Sequence, residues 1–260
     1  MMKQAFTVIT LLLKRECVLL RAAWKSIVGS ALMYTVLLSL TAGYCMVPGG
    51  MNPALAIPLF LGSFVLVCNT VGYSMTLEIA HDVRSSGLMQ YYFSLPVSTG
   101  VVMLGMLACW VFRLLLIAVP ALLLGSTIIG RWELFHVSPV SAVLVLILAA
   151  TFYSLMFLVL AFWCELKTLL GNIWPRFLSP LFNAGCIFFP WQIVHQKLGV
   201  YAYIMLLNPV VYCTEGVRSA LLGGTYIDAW MCIGVLIAVN AALFVLWRRV
   251  VLQRLHAVVV

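Results

Sequence analysis

Charged residues are scarce in this chain of 260 residues, in which 8% of the residues are Asp, Glu, Lys or Arg and 65% are hydrophobic. In a soluble domain about a quarter of the residues are charged. Apolar residues at this density, spread along the whole length, exclude a water-facing surface and therefore a soluble globular enzyme. The composition indicates an integral membrane protein.

Motifs for nucleotide binding, hydrolysis and metal binding are missing from the sequence. It contains no G-x-x-x-x-G-K-[ST], no H-E-x-x-H and no G-x-S-x-G. The eight cysteines are far apart and form no CxxC pair, so they indicate packing residues and no disulfide framework. We therefore expect no catalytic residue, no metal site and no cofactor site in this chain.

The net charge of +8 does not indicate nucleic-acid binding, because the basic residues cluster in short segments beside apolar runs. That distribution is typical of the cytoplasmic flanks of membrane spans. Charges at Lys14, Arg15 and Glu16 interrupt the first apolar stretch, which argues against a cleavable signal peptide.

Continuous apolar runs, rather than alternating ones, predict helical spans and not barrel strands. Each run has about the length that a helix needs to cross a bilayer. We predict six spans with approximate bounds of 26–47, 56–77, 101–128, 139–163, 174–194 and 229–248.

The first 25 residues predict an amphipathic helix lying at the membrane interface and not a span. Its polar residues fall within roughly a 60° arc of a helix. They are Lys3, Thr7, Thr10, Lys14, Arg21 and Lys25. Arg15 and Glu16 fall outside that arc. The sequence thus divides into an interfacial helix, 1–25, and one transmembrane domain, 26–260.

The apolar segment 198–214 decides between six and seven spans. Basic residues near both ends of the chain place both termini in the cytoplasm, which requires an even number of crossings. Pro209 also disfavours a smooth helix here. We therefore expect segment 198–214 to enter the membrane partly or to lie at its outer surface, with Arg131, Lys197 and Arg218 the basic residues on that side.

Arg113 is the one charged residue predicted near the middle of a span, away from its ends. A charge there costs about 2.5–3.5 kcal/mol on insertion scales, so it should face the bundle interior or a wet cavity. One reading is a contact with an anionic substrate headgroup, and the other is a structural pair with a neighbouring helix. Arginine does not release a proton in practice, which argues against a proton-driven carrier.

Segment 78–98 leaves the membrane after the second predicted span and carries two adjacent tyrosines. Its acidic start at Glu78 and Asp82 is followed by an apolar stretch that Pro96 ends. The spacing is compatible with a short helix on the cytoplasmic surface and equally with a plain loop bearing interfacial tyrosines.

A family resemblance separates these alternatives. Residues 87–98, GLMQYYFSLPVS, resemble the G-T-L-E-x-L-L-x-x-P-V-S signature between spans two and three of ABC-2-type transporter permeases. Gly87, Pro96, Val97 and Ser98 match, whereas Leu88 and Gln90 replace Thr and Glu.

Two further stretches carry the same resemblance. Residues 208–223, NPVVYCTEGVRSALLG, are similar to the family's N-P-x-x-Y-x-x-E-x-x-R-x-x-L-x-G before the last span. Residues 172–177 and the FFP at 188–190 look like the family's fifth span. The order of the three motifs fits six spans with an amphipathic start, so the resemblance covers the whole chain.

The resemblance implies a fold, partners and a mechanism. It implies an all-α membrane protein that works as a dimer with a second copy or a homologous permease. It also implies a separate cytoplasmic ATPase subunit that binds ATP and Mg²⁺, and outer re-entrant helices before the last span. In such permeases the surface helix after span two fits a cleft in the ATPase.

The candidate site residues form two groups that the resemblance implies, one of them within the implied outer re-entrant segment 195–225, and one isolated position that rests on the charge argument above. The ATPase-coupling group is Glu78, Asp82, Gly87, Leu88, Tyr91, Tyr92 and Pro96. The outer cap is Asn208, Pro209, Tyr212, Glu215 and Arg218, with Glu215 and Arg218 expected to form a weak pair at an exposed site. Arg113 is the candidate on the substrate path.

The function expected from these features is the permease subunit of an ATP-driven exporter in the bacterial cytoplasmic membrane. Its substrate would be a lipid, a lipid-linked glycan or another amphiphile. One alternative is a membrane-embedded enzyme or assembly factor acting on lipid-linked substrates, for which no clustered catalytic set is present. The other is a passive channel, for which no charged pore ring is present.

Overall fold

The computed structural model describes residues 2–45, 55–85, 92, 97–130, 132, 135–136, 138–224 and 226–259. Throughout these residues the secondary structure is helical, with turns between the helices. The longer helices are α1 (Met2–Leu40), α3 (Ser63–Ser85), α4 (Thr99–Ile129), α5 (Pro139–Trp163), α9 (Pro209–Leu222) and α10 (Ala229–Val259). The shorter helices are α2 (Ala56–Leu61), α6 (Leu166–Thr168), α7 (Ser179–Asn183) and α8 (Trp191–Leu198).

Four helical segments among the described residues are long and apolar enough to cross a membrane. They are Ala56–Ala80, Thr99–Ile129, Pro139–Trp163 and Ala229–Arg254, and Ala31–Cys45 is a shorter apolar helix. These segments correspond to the predicted spans two, three, four and six, and the shorter helix corresponds to span one. The count of six spans stays a prediction.

The helices pack into one bundle around a buried apolar core. α1 and α3 pack against α4, α3 also packs against α5, and α10 packs along α5. α9 lies against α5 and α10 and is buried over most of its length. α9 belongs to segment 195–225, which is predicted to be re-entrant, and this part of the segment contributes to the core.

α1 runs without a break through the predicted boundary between residues 25 and 26, because neither proline nor glycine occurs before Gly29. It continues as a short π-helix, Thr41–Cys45. α1 contacts α4 at Glu16, which lies beside Arg113, and the π-helix that follows α1 contacts α4 again where the Tyr44 hydroxyl donates to the Ile128 carbonyl at 3.1 Å.

The predicted fifth span differs from the structure. A continuous helix over 174–194 is not formed. Instead α6, a π-helix over Leu169–Leu178 and α7 make one irregular segment, which we call the broken helix, and it ends at Asn183. Pro175 and Pro180 lack the backbone N–H that an α-helix needs, and the Ser179 N–H accordingly bonds back to Trp174. A turn over residues 184–190 then leads to α8.

Candidate coupling site and outer cap

Arg113 lies inside the bundle and is paired with Glu78. Its side chain is 3% exposed, and the two groups form a bidentate pair, with Nη1 donating to Glu78 Oε2 at 2.9 Å and Nη2 donating to Oε1 at 3.0 Å. Glu78 is half exposed, at 51%. A bidentate Arg–carboxylate pair is among the stronger ionic contacts in proteins, so the pair ties α4 to α3, the helix that leads into the predicted coupling segment.

Glu16 completes a three-residue charge cluster. Its Oε2 lies 3.8 Å from Arg113 Nη1, too far for a hydrogen bond, and the atom has no hydrogen-bond partner. Burial raises the pKa of Glu16, and the nearby guanidinium groups of Arg113 and Arg15 only partly oppose this effect. Sequence reasoning assigned no function to Glu16, which, like Arg15, falls outside the polar arc of the N-terminal helix.

Tyr92 joins the predicted coupling segment to the same cluster. The Arg15 guanidinium lies over the Tyr92 ring, 5.3 Å from its centre, in a cation–π contact. Tyr92 is buried and helps to line a cavity of about 60 Å³ between α1, α3 and α4. The cavity lining also includes Glu16, Glu78 and Arg113.

The other predicted coupling residues are only partly covered by the structure. Asp82 belongs to α3, but its side chain is outside the described part of the chain, and Gly87, Leu88, Tyr91 and Pro96 lie wholly outside it. Of the seven residues that the resemblance implies, Glu78 and Tyr92 are therefore the two whose contacts are known: Glu78 pairs with Arg113, and Tyr92 contacts Arg15, the chain neighbour of Glu16.

Asn208, Pro209 and Tyr212 build the start of α9. Asn208 is its N-cap: Oδ1 accepts from the Val210 N–H at 3.0 Å, and Nδ2 donates to the Leu181 carbonyl at 2.6 Å. Pro209 occupies the first helical position, where no N–H is needed. The Tyr212 hydroxyl donates to the Leu206 carbonyl at 2.9 Å. These contacts hold α9 to α7 and to the preceding 3₁₀ helix, Gly199–Leu207.

Arg218 is the centre of the outer cap and is fully buried. Nε donates to the Pro58 carbonyl at 2.7 Å, Nη1 to the Cys186 carbonyl at 2.7 Å, and Nη2 to the Ile187 carbonyl at 2.6 Å. Cys186 adopts a left-handed backbone with φ of 53°, unusual for a residue with a side chain. One guanidinium therefore joins α2, the turn over 184–190 and α9.

The prediction that Glu215 and Arg218 form a weak pair at an exposed site is wrong. Both side chains are 0% exposed, and Arg218 Nη1 donates to Glu215 Oε1 at 2.7 Å. The same oxygen accepts from the Trp191 N–H at 3.1 Å, at the start of α8. Removing one partner of a buried pair costs about 3–5 kcal/mol because the other charge is left buried without compensation, so the loss of either residue should cost far more than it would at an exposed site.

A half-buried polar face on α3 was not identified from the sequence as a functional feature. It consists of Asn69, Thr70, Tyr73 and Ser74. Tyr73 contacts Trp174 of the broken helix, with ring centroids 4.3 Å apart, and Arg176 is exposed on that helix. Polar residues at helical spacing within an apolar run were the available signal. Such a face inside a span is expected to meet protein or a wet cavity rather than lipid.

Metal binding has no geometric support in the part of the chain that the structure describes, where no three His, Cys, Asp or Glu side chains come close enough to hold an ion. The contacts found at both sites instead link helices to one another. Each site can therefore hold segments in register or transmit a displacement between them.

Among the described residues, four helices that are long and apolar enough to cross a membrane indicate a multi-pass membrane protein. Residues 7–222 match the family described as ABC-2 type transporter. The chain belongs to this family and is a permease subunit of an ABC transporter. No curated protein and no solved structure matches the chain.

Proposed function

We propose that this permease subunit exports an amphiphile, a lipid or a lipid-linked glycan, from the bacterial cytoplasmic membrane, with both termini in the cytoplasm. Membership of the family implies association with an ABC ATPase. ATP and Mg²⁺ would bind to that partner, and this chain would convert the partner's movement into a change in the bundle. The outer cap would hold the extracytoplasmic end of the path.

The observation that carries the proposal is the set of contacts made by Glu78 and Tyr92, two residues of segment 78–98. Tyr92, from that segment, contacts Arg15 of α1, while Glu78 at its start holds Arg113 of α4. A displacement of the segment would therefore act on α1, α3 and α4 together. ATP binding on a partner can favour one of two bundle states only through such differential contacts.

A second copy of the chain is the partner proposed for the polar face of α3. Half-buried Asn69, whose Oδ1 has no hydrogen-bond partner, is costly against lipid, and the exposed Arg176 lies on the broken helix that Tyr73 of the same face contacts. Two such faces opposed in a dimer would enclose a polar path between them. Arg113 does not lie on this face, and an anionic headgroup would have to displace Glu78 to reach it.

The direct test is co-expression of the chain with a candidate ABC ATPase subunit, followed by co-purification and reconstitution into nanodiscs. The wild-type chain should retain the ATPase and alter its rate of ATP hydrolysis. The triple variant Leu88→Ala, Tyr91→Ala and Tyr92→Ala should lose the partner. Retention of both docking and the altered rate by the triple variant would refute the coupling role of segment 78–98.

The substrate class needs a separate experiment on the same nanodiscs. Candidate lipids, lipid-linked glycans and soluble compounds would be screened for stimulation of ATP hydrolysis. We expect amphiphiles to stimulate and soluble compounds not to. Asn69→Leu should weaken that stimulation, whereas a substitution of the lipid-facing Leu123 should not, and equal effects would argue against the α3 face as the path.

A further inference from the structure

Glu16 is placed where a charged residue is costly. It belongs to a stripe of α1 that also contains Leu12 and Leu20, and all three side chains are buried in the bundle. Lys14 and Arg21 of the same helix are exposed. A carboxylate on the buried stripe is expected to have a partner, because an isolated buried charge is strongly unfavourable.

The partner that lies nearest is already committed to another residue. Arg113 gives both of its terminal nitrogens to Glu78, leaving Glu16 Oε2 at 3.8 Å with no hydrogen bond. Arg113 Nε, also buried, has no hydrogen-bond partner either. The cavity of about 60 Å³ that these groups line has room for the guanidinium to shift or for a water molecule.

The charged and titratable groups around Glu16 come from all the elements that pack there. Arg15 and Cys17 lie on α1, Glu78 on α3, and Cys109 and Arg113 on α4, while Tyr92 comes from the predicted coupling segment. Burial raises the pKa of the Glu16 carboxyl, as expected for a carboxyl whose neighbouring cation is bound elsewhere.

We propose that Glu16 is a positioning residue for energy coupling, and that it is the alternate acceptor to which Arg113 passes when segment 78–98 draws Glu78 away. The proposal rests on the coupling role proposed above for that segment. It adds a specific second state, in which Arg113 joins α4 to α1 instead of α3.

The difference in exposure between the two carboxylates makes the exchange feasible. Glu78 is half exposed, so water can solvate its carboxylate once Arg113 leaves. Arg113 is 3% exposed and cannot lose its partner without the cost of an unpaired buried charge. Transfer to Glu16 requires closing a gap of 3.8 Å to hydrogen-bond distance, a movement of about 1 Å.

A double-mutant cycle on the isolated full-length chain in nanodiscs tests the exchange. Thermal unfolding is compared for wild type, Glu16→Gln, Glu78→Gln and the double variant, with exposed Glu165→Gln as the control. Each single variant leaves Arg113 one carboxylate acceptor. The unfolding temperature of the double variant should therefore fall by more than the sum of the decreases in the two single variants. Additive losses would overturn the proposal.

The ionisation of Glu16 supplies a readout that a purely structural role would not move. Infrared spectroscopy follows its protonated carboxyl band, which is assigned by its loss in Glu16→Gln. Removing Glu78 frees Arg113 and should shift this ionisation to lower pH. The same substitution in an Arg113→Met background removes only the direct Glu78 repulsion and should give a smaller shift. Equal shifts in the two backgrounds would show that Arg113 does not move to Glu16.

The two proposals fail in distinguishable ways. The cycle and the titration use the permease alone, so they do not depend on an ATPase. If wild-type chain does not retain the ATPase, the coupling function fails and the ion-pair results stand. If docking is retained and the losses are additive, the role of Glu16 fails and the coupling function stands.

Discussion

Arg218, a single buried residue, connects the predicted outer cap to other segments of the bundle. Its guanidinium meets three backbone carbonyls and one carboxylate, contributed by segments that are far apart in the chain. Its fork of donors suits several acceptors at once, which a lysine ammonium does not reproduce. The motif over residues 208–223, one of the three that relate this chain to its family, therefore has a structural role: its arginine links separate segments of the bundle.

Replacing Arg218 alone should lower the free energy of unfolding more than replacing both members of the ion pair. Arg218→Met leaves Glu215 buried without its cation and should cost about 3–5 kcal/mol. The double variant Glu215→Gln and Arg218→Met should recover part of that loss. Unfolding in detergent or nanodiscs measures both, and a double variant no more stable than Arg218→Met would contradict the buried-pair interpretation.

Gly62 permits the close approach on which this link through Arg218 depends. It has ordinary helical angles, so its role is steric: a Cβ there would lie 1.8 Å from the Ile187 carbonyl oxygen and 2.9 Å from the Arg218 side chain. Gly62→Ala should destabilise the protein by about 1–3 kcal/mol through overpacking. Gly234, a helical glycine whose added Cβ meets nothing within 4 Å, is the matched control. Equal unfolding temperatures for the two alanine variants would refute this prediction.

Glu16 should make stability depend on pH. Because burial raises its pKa above the usual 4.5, the folded chain binds this proton more tightly than the unfolded chain does. Glu16 therefore favours the folded state at low pH, and that contribution is lost as pH rises from about 4.5 through the raised value. In Glu16→Gln this part of the pH dependence of the unfolding temperature should disappear. An unchanged profile would show that Glu16 does not titrate in this way.

At the scale of elements, α1 combines two surfaces. Its buried stripe meets the bundle, and its exposed face carries Lys14, Arg21 and Lys25. An exposed basic face on a helix that continues into an apolar segment suits contact with anionic lipid headgroups.

Neutralising this face should weaken the preference for anionic lipid. Each basic residue near a negatively charged membrane surface contributes about 1 kcal/mol, so Lys14→Gln, Arg21→Gln and Lys25→Gln together should reduce the enrichment of anionic over zwitterionic lipid around the purified protein. Native mass spectrometry or lipid analysis of nanodiscs measures this. Lys197→Gln, which lies outside α1, is the control, and a similar reduction there would contradict the assignment.

The broken helix shows where the length of an apolar run failed to predict a continuous helix. Residues 174–194 are uniformly apolar enough for a span, yet Pro175 and Pro180 interrupt the hydrogen-bond ladder and the helix ends at Asn183. The prolines were visible in the sequence. What they did to the backbone depended on the neighbouring contacts, such as the packing of Trp174 on Tyr73.

At the scale of the whole molecule, the charge distribution predicts both termini in the cytoplasm and segment 195–225 outside. In a cysteine-free background of intact cells, Lys197→Cys should react with a membrane-impermeant maleimide. Lys25→Cys and Arg254→Cys should react only after the membrane is opened. Labelling of residues 25 and 254 from opposite sides would require an odd number of spans and refute the proposed topology.

The sequence by itself determined the helical membrane class, the approximate bounds of four spans and the family, because these depend on composition, run length and short motifs that need no partner. Only the tertiary structure decided that Glu215 and Arg218 are buried, that Arg113 pairs with carboxylates, and that Glu16 belongs with them. The contacts of Arg113 join residues far apart in the chain, and the strength of the local Glu215–Arg218 pair depends on its burial. Periodicity along one helix records which face a residue occupies, but not which helix comes to meet it.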